Sequence, residues 1–315
     1  MTITFTSGIS FSGGVTLTPP PPPPSENTAA WFGGGATPAT VSTVDRITYA
    51  TDTATATVRG PLSLARYALA AAGNTTDGWF GGGTPGYRTT VDRITYATDT
   101  ATASVRGPLS LGRYNLAAAG NTTDGWFGGG YDPDRSTVDR ITYTTDTATA
   151  SVRGPLSGVR NGLAAAGNTT DGWFGGGQAA SPAVSIVGRI TYATDTATAT
   201  VRGPLSLARY TFAAAGNTTD GWFGGGAAGG LVSTVDRITY ATDTATASVR
   251  GPLSSARRYL SAAGNSTDGW FGGGTAGPFV SIVDRITYAT DTATASVRGP
   301  LSGARQSPAA ASGIQ

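Results

Sequence analysis

The stretch 77-DGWFGGGTPGYRTTVDRITYATDTATASVRGPLS-110 decides the fold, because near-copies of it fill most of the chain. Its WFGGG core begins at Trp31, Trp79, Trp126, Trp173, Trp222 and Trp270, at spacings of 48, 47, 47, 49 and 48 residues. A period of this length fits four short strands folded into one propeller blade, whereas a helical repeat would carry apolar residues at a rhythm of about 3.6. That rhythm is missing. Each unit instead offers four short runs rich in Thr, Val, Ile, Ala and aromatics, divided by Gly, Asn-Thr-Thr-Asp-Gly and Thr-Asp. In the second unit the runs predict an innermost strand over 67–72, a second over 78–82, a third over 91–96 and an outermost one over 100–105. Asp77-Gly78 suits the tight turn into the second strand, and residues 97–99 turn the third strand into the fourth. Alternation in the third strand sets Ile94 and Tyr96 on one face, Arg93 and Thr95 on the other. The fold class is all-β: a six-bladed β-propeller with four antiparallel strands per blade.

The phase of the repeat predicts how the ring closes. Trp31 has no innermost strand before it, and the last unit leaves an unpartnered segment after Leu301-Ser302. That segment, Arg305 to Gly313, aligns with Arg66 to Gly73, so the C-terminal segment is expected to supply the innermost strand of the first blade. Closure of this kind ties the chain ends together and removes unpaired strand edges. The innermost run is mainly Ala and Gly, as a crowded axis requires.

The remaining organisation is an N-terminal extended or β arm over 1–18, a polyproline linker over 19–29 and the propeller over 30–315. The arm alternates weakly and carries Gly13-Gly14; any oligomerisation is assigned to it. Pro19 to Pro24 favour a stiff left-handed extended spacer of about 19 Å, at about 3.1 Å per residue. Because Trp31 starts a second strand, the arm is expected to join the propeller at the end that holds the Asp-Gly turns.

The 21 basic residues are all Arg, the 19 acidic ones are Asp apart from Glu26, and His and Cys are absent. Both signs recur inside each unit, so no basic stripe for nucleic acid forms. No run reaches the roughly 20 apolar residues of a membrane span, and the first residues lack the pattern of a signal peptide. Without His or Cys, and with Asp spread evenly over the repeats, no catalytic site or cofactor is expected. Asp77, Asp124, Asp171, Asp220 and Asp268 have the chemistry to ligate calcium with neighbouring carbonyls, but read first as turn formers. Asp45, Asp92, Asp139, Asp236 and Asp284 each precede an Arg and read as staples within the blade; the fourth copy has Gly188 instead. Asn74-Thr75-Thr76 and its copies match the glycosylation sequon, which is discounted without a signal peptide.

Antiparallel order gives the propeller two unequal faces. The turns Asn-Thr-Thr-Asp-Gly and Ala-Thr-Asp-Thr, nearly invariant between units, share one. On the other lie the loops ATPATVST, TPGYRTT, YDPDRST, QAASPAVSI, AAGGLVST and TAGPFVSI, with the segments LARYAL, LGRYNL, GVRNGL, LARYTF, SARRYL and GARQSP. Loops on a rigid scaffold are where binding resides, and Tyr and Arg give large contact area with polar tips. The candidate ligand-binding residues are Tyr67, Tyr87, Arg88, Tyr114, Tyr131, Arg135, Tyr210, Arg258 and Tyr259. The competing explanation is that these loops drift because nothing constrains them.

An Arg before a small apolar strand, a strand ending in paired glycines and a third with an aromatic residue resemble the kelch repeat: here Arg66, the LAAAG run, Gly81 to Gly83 and Tyr96, over residues 30 to 313. The resemblance implies a kelch-like propeller. One feature departs from it, because kelch blades carry Trp in the outermost strand and here Trp79 sits in the second. The run VDRITYATDTATASVRGPLS with the WFGGG glycines also looks like repeat proteins of marine bacteriophages, particularly cyanophages, which display such propellers on tails or fibres. That likeness implies a virion protein exposed on the particle. Its expected role is a non-enzymatic recognition head for host-surface glycan or protein; the alternative is a structural scaffold docked to other virion subunits.

Overall fold

The computed structural model describes residues 28–312 of the chain. The arm over 1–18, and the polyproline linker as far as residue 27, lie outside the described residues. Among the described residues the chain forms six four-stranded antiparallel sheets and no α-helix. Each sheet is a blade. In the second blade the order from axis to rim is Ala70–Gly73, Asp77–Gly81, Val91–Thr95 and Ser104–Arg106. The first blade is assembled from both ends: Ala309–Ala311 pairs with Ala29–Gly33, and Val44–Thr48 and Thr57–Arg59 complete it. Its register sets Trp31 opposite Ala311 and Gly33 opposite Ala309, the closure that the repeat phase implies. Ala29 is already part of a strand, one residue ahead of the boundary drawn at 30.

Three of the four strands are shorter than the residue runs that announce them, and the second is shifted by one residue, to Asp77–Gly81. The innermost one starts at Ala70 rather than at residue 67, because Ala68 takes a φ of 55° and breaks the extended run. Tyr67 is left in an isolated bridge with Thr84. Tyr96 leaves the sheet in a 3-10 turn, Tyr96–Thr98, so it does not share a strand face with Ile94. Its ring stacks instead on Trp31 of the preceding blade, 3.8 Å between centroids. The outermost strand is Ser104–Arg106 rather than 100–105, since the residues before it tether the blade to its neighbour: Gly60 N–H donates to the Asp99 carbonyl and Ala103 N–H to that of Pro61.

The hydrophobic core lies between blades. Trp79, Val91 and Ala70 of the second blade pack with Phe127, Ile141 and Tyr143 of the third, and equivalent clusters fill the other five interfaces. Trp79 stacks on Tyr143 at 3.7 Å and donates its indole N–H to Asp146 at 2.9 Å. Arg93 donates to the same carboxylate at 3.1 Å, and Arg106 approaches it to 3.5 Å. The last copy of this joint links Trp270, Arg285 and Arg298 to Tyr49 and Asp52, and so fastens the sixth blade to the first. The glycines of the motif make room for the next blade. A β-carbon on Gly81 would stand 3.0 Å from the Phe127 ring, and Gly82 combines a φ of 75° with 2.7 Å from the Arg113 carbonyl.

Asp92 does staple its blade, but not through Arg93. Its partner is Arg66, at 3.0 Å with both side chains fully buried, and Arg66 also donates to the Phe80 carbonyl at 2.9 Å. Arg93 reaches across to the next blade. In five of the six blades such a pair pins the lead-in segment against the blade's third strand.

Candidate binding face

Hydrogen bonds sort the loops onto two ends of the ring. Tyr96 N–H donates to the Thr76 carbonyl, which joins the two invariant turns. Arg113 N–H donates to the Arg88 carbonyl, and Tyr114 bridges Tyr131, which joins the variable loops to the variable lead-in segments. Residue 28 meets Tyr49 at the invariant end, so the described chain starts on the face away from the variable loops.

The invariant turns are fully occupied with their own geometry. The Asn74 side-chain carbonyl accepts from the N–H groups of Thr76 and Asp77, each at 2.9 Å. Asp77 accepts the Thr95 hydroxyl at 2.5 Å and the Thr76 hydroxyl at 2.7 Å. These bonds make Asp77 a turn former; among the described residues no group of three or more His, Cys, Asp or Glu is placed to hold a metal. With Asp99 and its copies forming the joint between blades, packing alone accounts for the constancy of this face. Unequal variability is thus no evidence for binding, and the case rests on the chemistry of the variable residues.

At the axis, the variable face carries a collar. Ala68, Asn115, Gly162, Thr211, Tyr259 and Ser307 have φ between 52° and 64°. Each donates its N–H to the carbonyl of the preceding one, from Ala68 round to Ser307, at 2.6–2.9 Å, and the circuit closes through Ala68 N–H to Ser307. Left-handed backbone at five non-glycine residues costs on the order of 1 kcal/mol each, which the closed circuit of six bonds offsets. The collar rims a funnel of about 110 Å³ whose lining includes Leu69, Leu116, Leu163, Phe212, Leu260 and Pro308 and the alanines of the inner strands.

Around the collar the candidate residues separate into two groups. Tyr87 and Tyr114 stack at 5.8 Å and 17°, and Tyr131 tilts against Tyr114 at 5.4 Å, forming a ladder across the second and third blades. Tyr87 and Tyr131 are 46% and 38% exposed, unusual values for aromatic rings held in place. Burial, reinforced by Tyr87, Tyr131, Tyr67 and Tyr259, raises the Tyr114 hydroxyl above its ordinary pKa, so it stays a neutral donor and acceptor. Tyr87 holds its place through a φ of 46°, with its carbonyl against Gly112, where a β-carbon would collide. Tyr67 is half-buried behind the ladder.

The second group lies across the ring. Tyr210 and Arg258 line a cleft of about 340 Å³ between the fifth and sixth blades, with Leu231 and Thr275. The Arg258 guanidinium lies 5.0 Å over the Tyr259 ring. Tyr259, near enough to Tyr114 to influence its hydroxyl, stands between this cleft and the ladder. One of the candidate arginines serves its own loop, Arg135 donating to the Asp132 carbonyl, whereas the Nε atoms of Arg88 and Arg258 are buried without a hydrogen-bond partner among the described residues. Sequence reasoning missed Leu231 and Thr275, and missed Asp134, which receives Asn161 Nδ2 and Ala180 N–H at 2.6 Å each and braces the third blade's loop against the fourth.

The chain matches no family model and no curated protein sequence.

Proposed function

We propose that this propeller is a non-enzymatic binding head that recognises a surface glycan through its variable face. The observation that carries the proposal is the ladder of Tyr87, Tyr114 and Tyr131, whose rings pack on one another while Tyr87 and Tyr131 stay exposed to solvent. Sugar rings stack their C–H faces on aromatic planes, and a row of such planes suits several residues of a polysaccharide. Rigid tyrosines cost little conformational entropy on binding. The likeness of the repeat to cyanophage virion proteins supports a position on a phage particle, with the host envelope as the source of the glycan. The cleft at Tyr210 and Arg258 is a second contact area with a cationic rim.

The purified full chain, probed on an array of bacterial envelope polysaccharides, is expected to bind a restricted subset. Tyr87→Ala and Tyr114→Ala should each weaken that binding about tenfold or more, as loss of a stacking aromatic does at binding hot spots. No binding to any polysaccharide, or unchanged binding by both variants, overturns the reading and leaves the scaffold role.

A further inference from the structure

Five blades carry the buried Arg–Asp pair and the fourth does not. Arg66, Arg113, Arg209, Arg257 and Arg305 meet Asp92, Asp139, Asp236, Asp284 and Asp45 at 2.8–3.0 Å. Each carboxylate also accepts a backbone N–H at 2.9–3.2 Å, from Ser63, Ser110, Ser206, Ser254 and Ser302 in turn. In three blades it accepts the serine hydroxyl as well, at 2.6 Å. The five paired blades thus show what this pocket is built to hold: one negative charge, bound by a guanidinium and a serine.

The fourth blade keeps the donors and lacks the acceptor. Arg160 is 2% exposed and Ser157 occupies the serine position, but Gly188 stands where the other blades have Asp. Arg160 bonds to the Phe174 carbonyl at 3.0 Å and turns its other amino group to the Ile186 carbonyl at 2.9 Å. Two carbonyl dipoles do not neutralise a charge. Burial is the sole influence on its pKa, which it lowers to about 10, whereas an aspartate opposes burial at Arg66, Arg209 and Arg305. A buried charge with its counter-ion deleted is strongly destabilising, so a bound anion would recover stability that this blade otherwise forgoes.

The geometry sets the size of the ligand. A β-carbon at Gly188 would lie 3.2 Å from Arg160 Nη2, 3.5 Å from Ser157 Oγ and 3.5 Å from Ala199 Cβ. They show that the guanidinium and the serine hydroxyl border the place where the other blades carry an aspartate side chain, which there holds one small negative charge. Ala199 borders the same place, so a ligand there is matched to the single carboxylate it replaces. We propose that the fourth blade binds a small monovalent anion of halide size beside Gly188, held by Arg160 and Ser157, in the place of the aspartate carboxylate of the other blades. The site lies below the lead-in segment of the variable face and is independent of the tyrosine ladder.

The test compares the full chain with Gly188→Asp, which supplies the missing carboxylate, and with Ser157→Ala, which keeps the fold and removes one donor. Melting is followed while sodium gluconate is replaced by sodium bromide at constant ionic strength, and bromide is located by anomalous scattering. The wild-type chain should gain about 2 °C at tenfold excess over the dissociation constant. The gain should disappear in Gly188→Asp and need several-fold more bromide in Ser157→Ala, with an anomalous peak between Arg160 and Ser157. An identical salt response in all three chains overturns the proposal, as does a peak without any wild-type-specific gain, which marks binding at crystal concentration only.

Discussion

Replacing Asp146 by Ala should loosen one joint of the ring by a calculable amount. Asp146 accepts the Trp79 indole N–H at 2.9 Å and Arg93 at 3.1 Å, and is approached by Arg106 at 3.5 Å. Trp79 is 1% exposed, so its N–H would be left buried without a partner, at a cost of about 1–3 kcal/mol. The arginine side chains are 27% and 20% exposed, so water replaces part of what they lose and their share is about 0.5–1 kcal/mol. The expected destabilisation is about 3 kcal/mol, or about 5 °C in melting temperature for a chain of this size. Asp146→Asn, which keeps an oxygen for the indole, should cost about half as much. Denaturant unfolding followed by tryptophan fluorescence measures both, and a double-mutant cycle with Trp79→Phe isolates the coupling, expected at about 1–2 kcal/mol. A loss below about 0.5 kcal/mol for Asp146→Ala, or zero coupling to Trp79, would refute the view that this aspartate holds the blades together.

Other outcomes follow from the same contacts. Deleting residues 304–315 removes Ala309–Ala311 and the Arg305–Asp45 pair, baring the inner edge of Ala29–Gly33; melting temperature should fall sharply and sedimentation should show aggregates, and an unchanged melting temperature rejects the closure. Burial raises the pKa of Tyr96, Tyr143, Tyr192, Tyr240 and Tyr288 well above 10 in the folded ring. Below pH 10 these tyrosines are neutral in both states; above it the unfolded chain gives up protons that the folded one retains, so stability is full below pH 10 and falls as pH rises. An ultraviolet titration should show these five rings ionising only as the chain unfolds; their ionisation near pH 10 in the still-folded chain contradicts the stacking.

The parts of this fold that were legible in the sequence are those each unit repeats to serve its neighbour. Trp79, Phe80 and Gly81 recur because each touches the adjacent blade in the same way, so the period and the closure could be read directly. What stayed hidden depends on partners distant along the chain. Asp92 stands beside Arg93, yet folding presents it to Arg66. Tyr96 has the composition of a strand residue, but its ring finds a better partner in Trp31 than on the sheet. The collar was the least legible feature, because its left-handed backbone is carried by residues as unlike as Ala68, Thr211 and Tyr259; Gly162 and Asn115, types that tolerate such φ, were the only signal. Of the candidate site, the tyrosines were visible as residues, but that Tyr87 and Tyr114 meet while Tyr210 stands apart follows from where the blades sit in the ring.

Because the chain has no cysteine, one introduced thiol can carry a bulky polymer to either face without ambiguity, and this gives the most direct test of which face binds. Leu111, 44% exposed beside the ladder, and Thr98, exposed in an invariant turn, are suitable positions. Coupling polyethylene glycol to Leu111→Cys should abolish polysaccharide binding, while the same polymer on Thr98→Cys should leave it intact. Retention of binding by the Leu111 conjugate, or its loss only in the Thr98 conjugate, would contradict the assignment of the variable face as the binding surface.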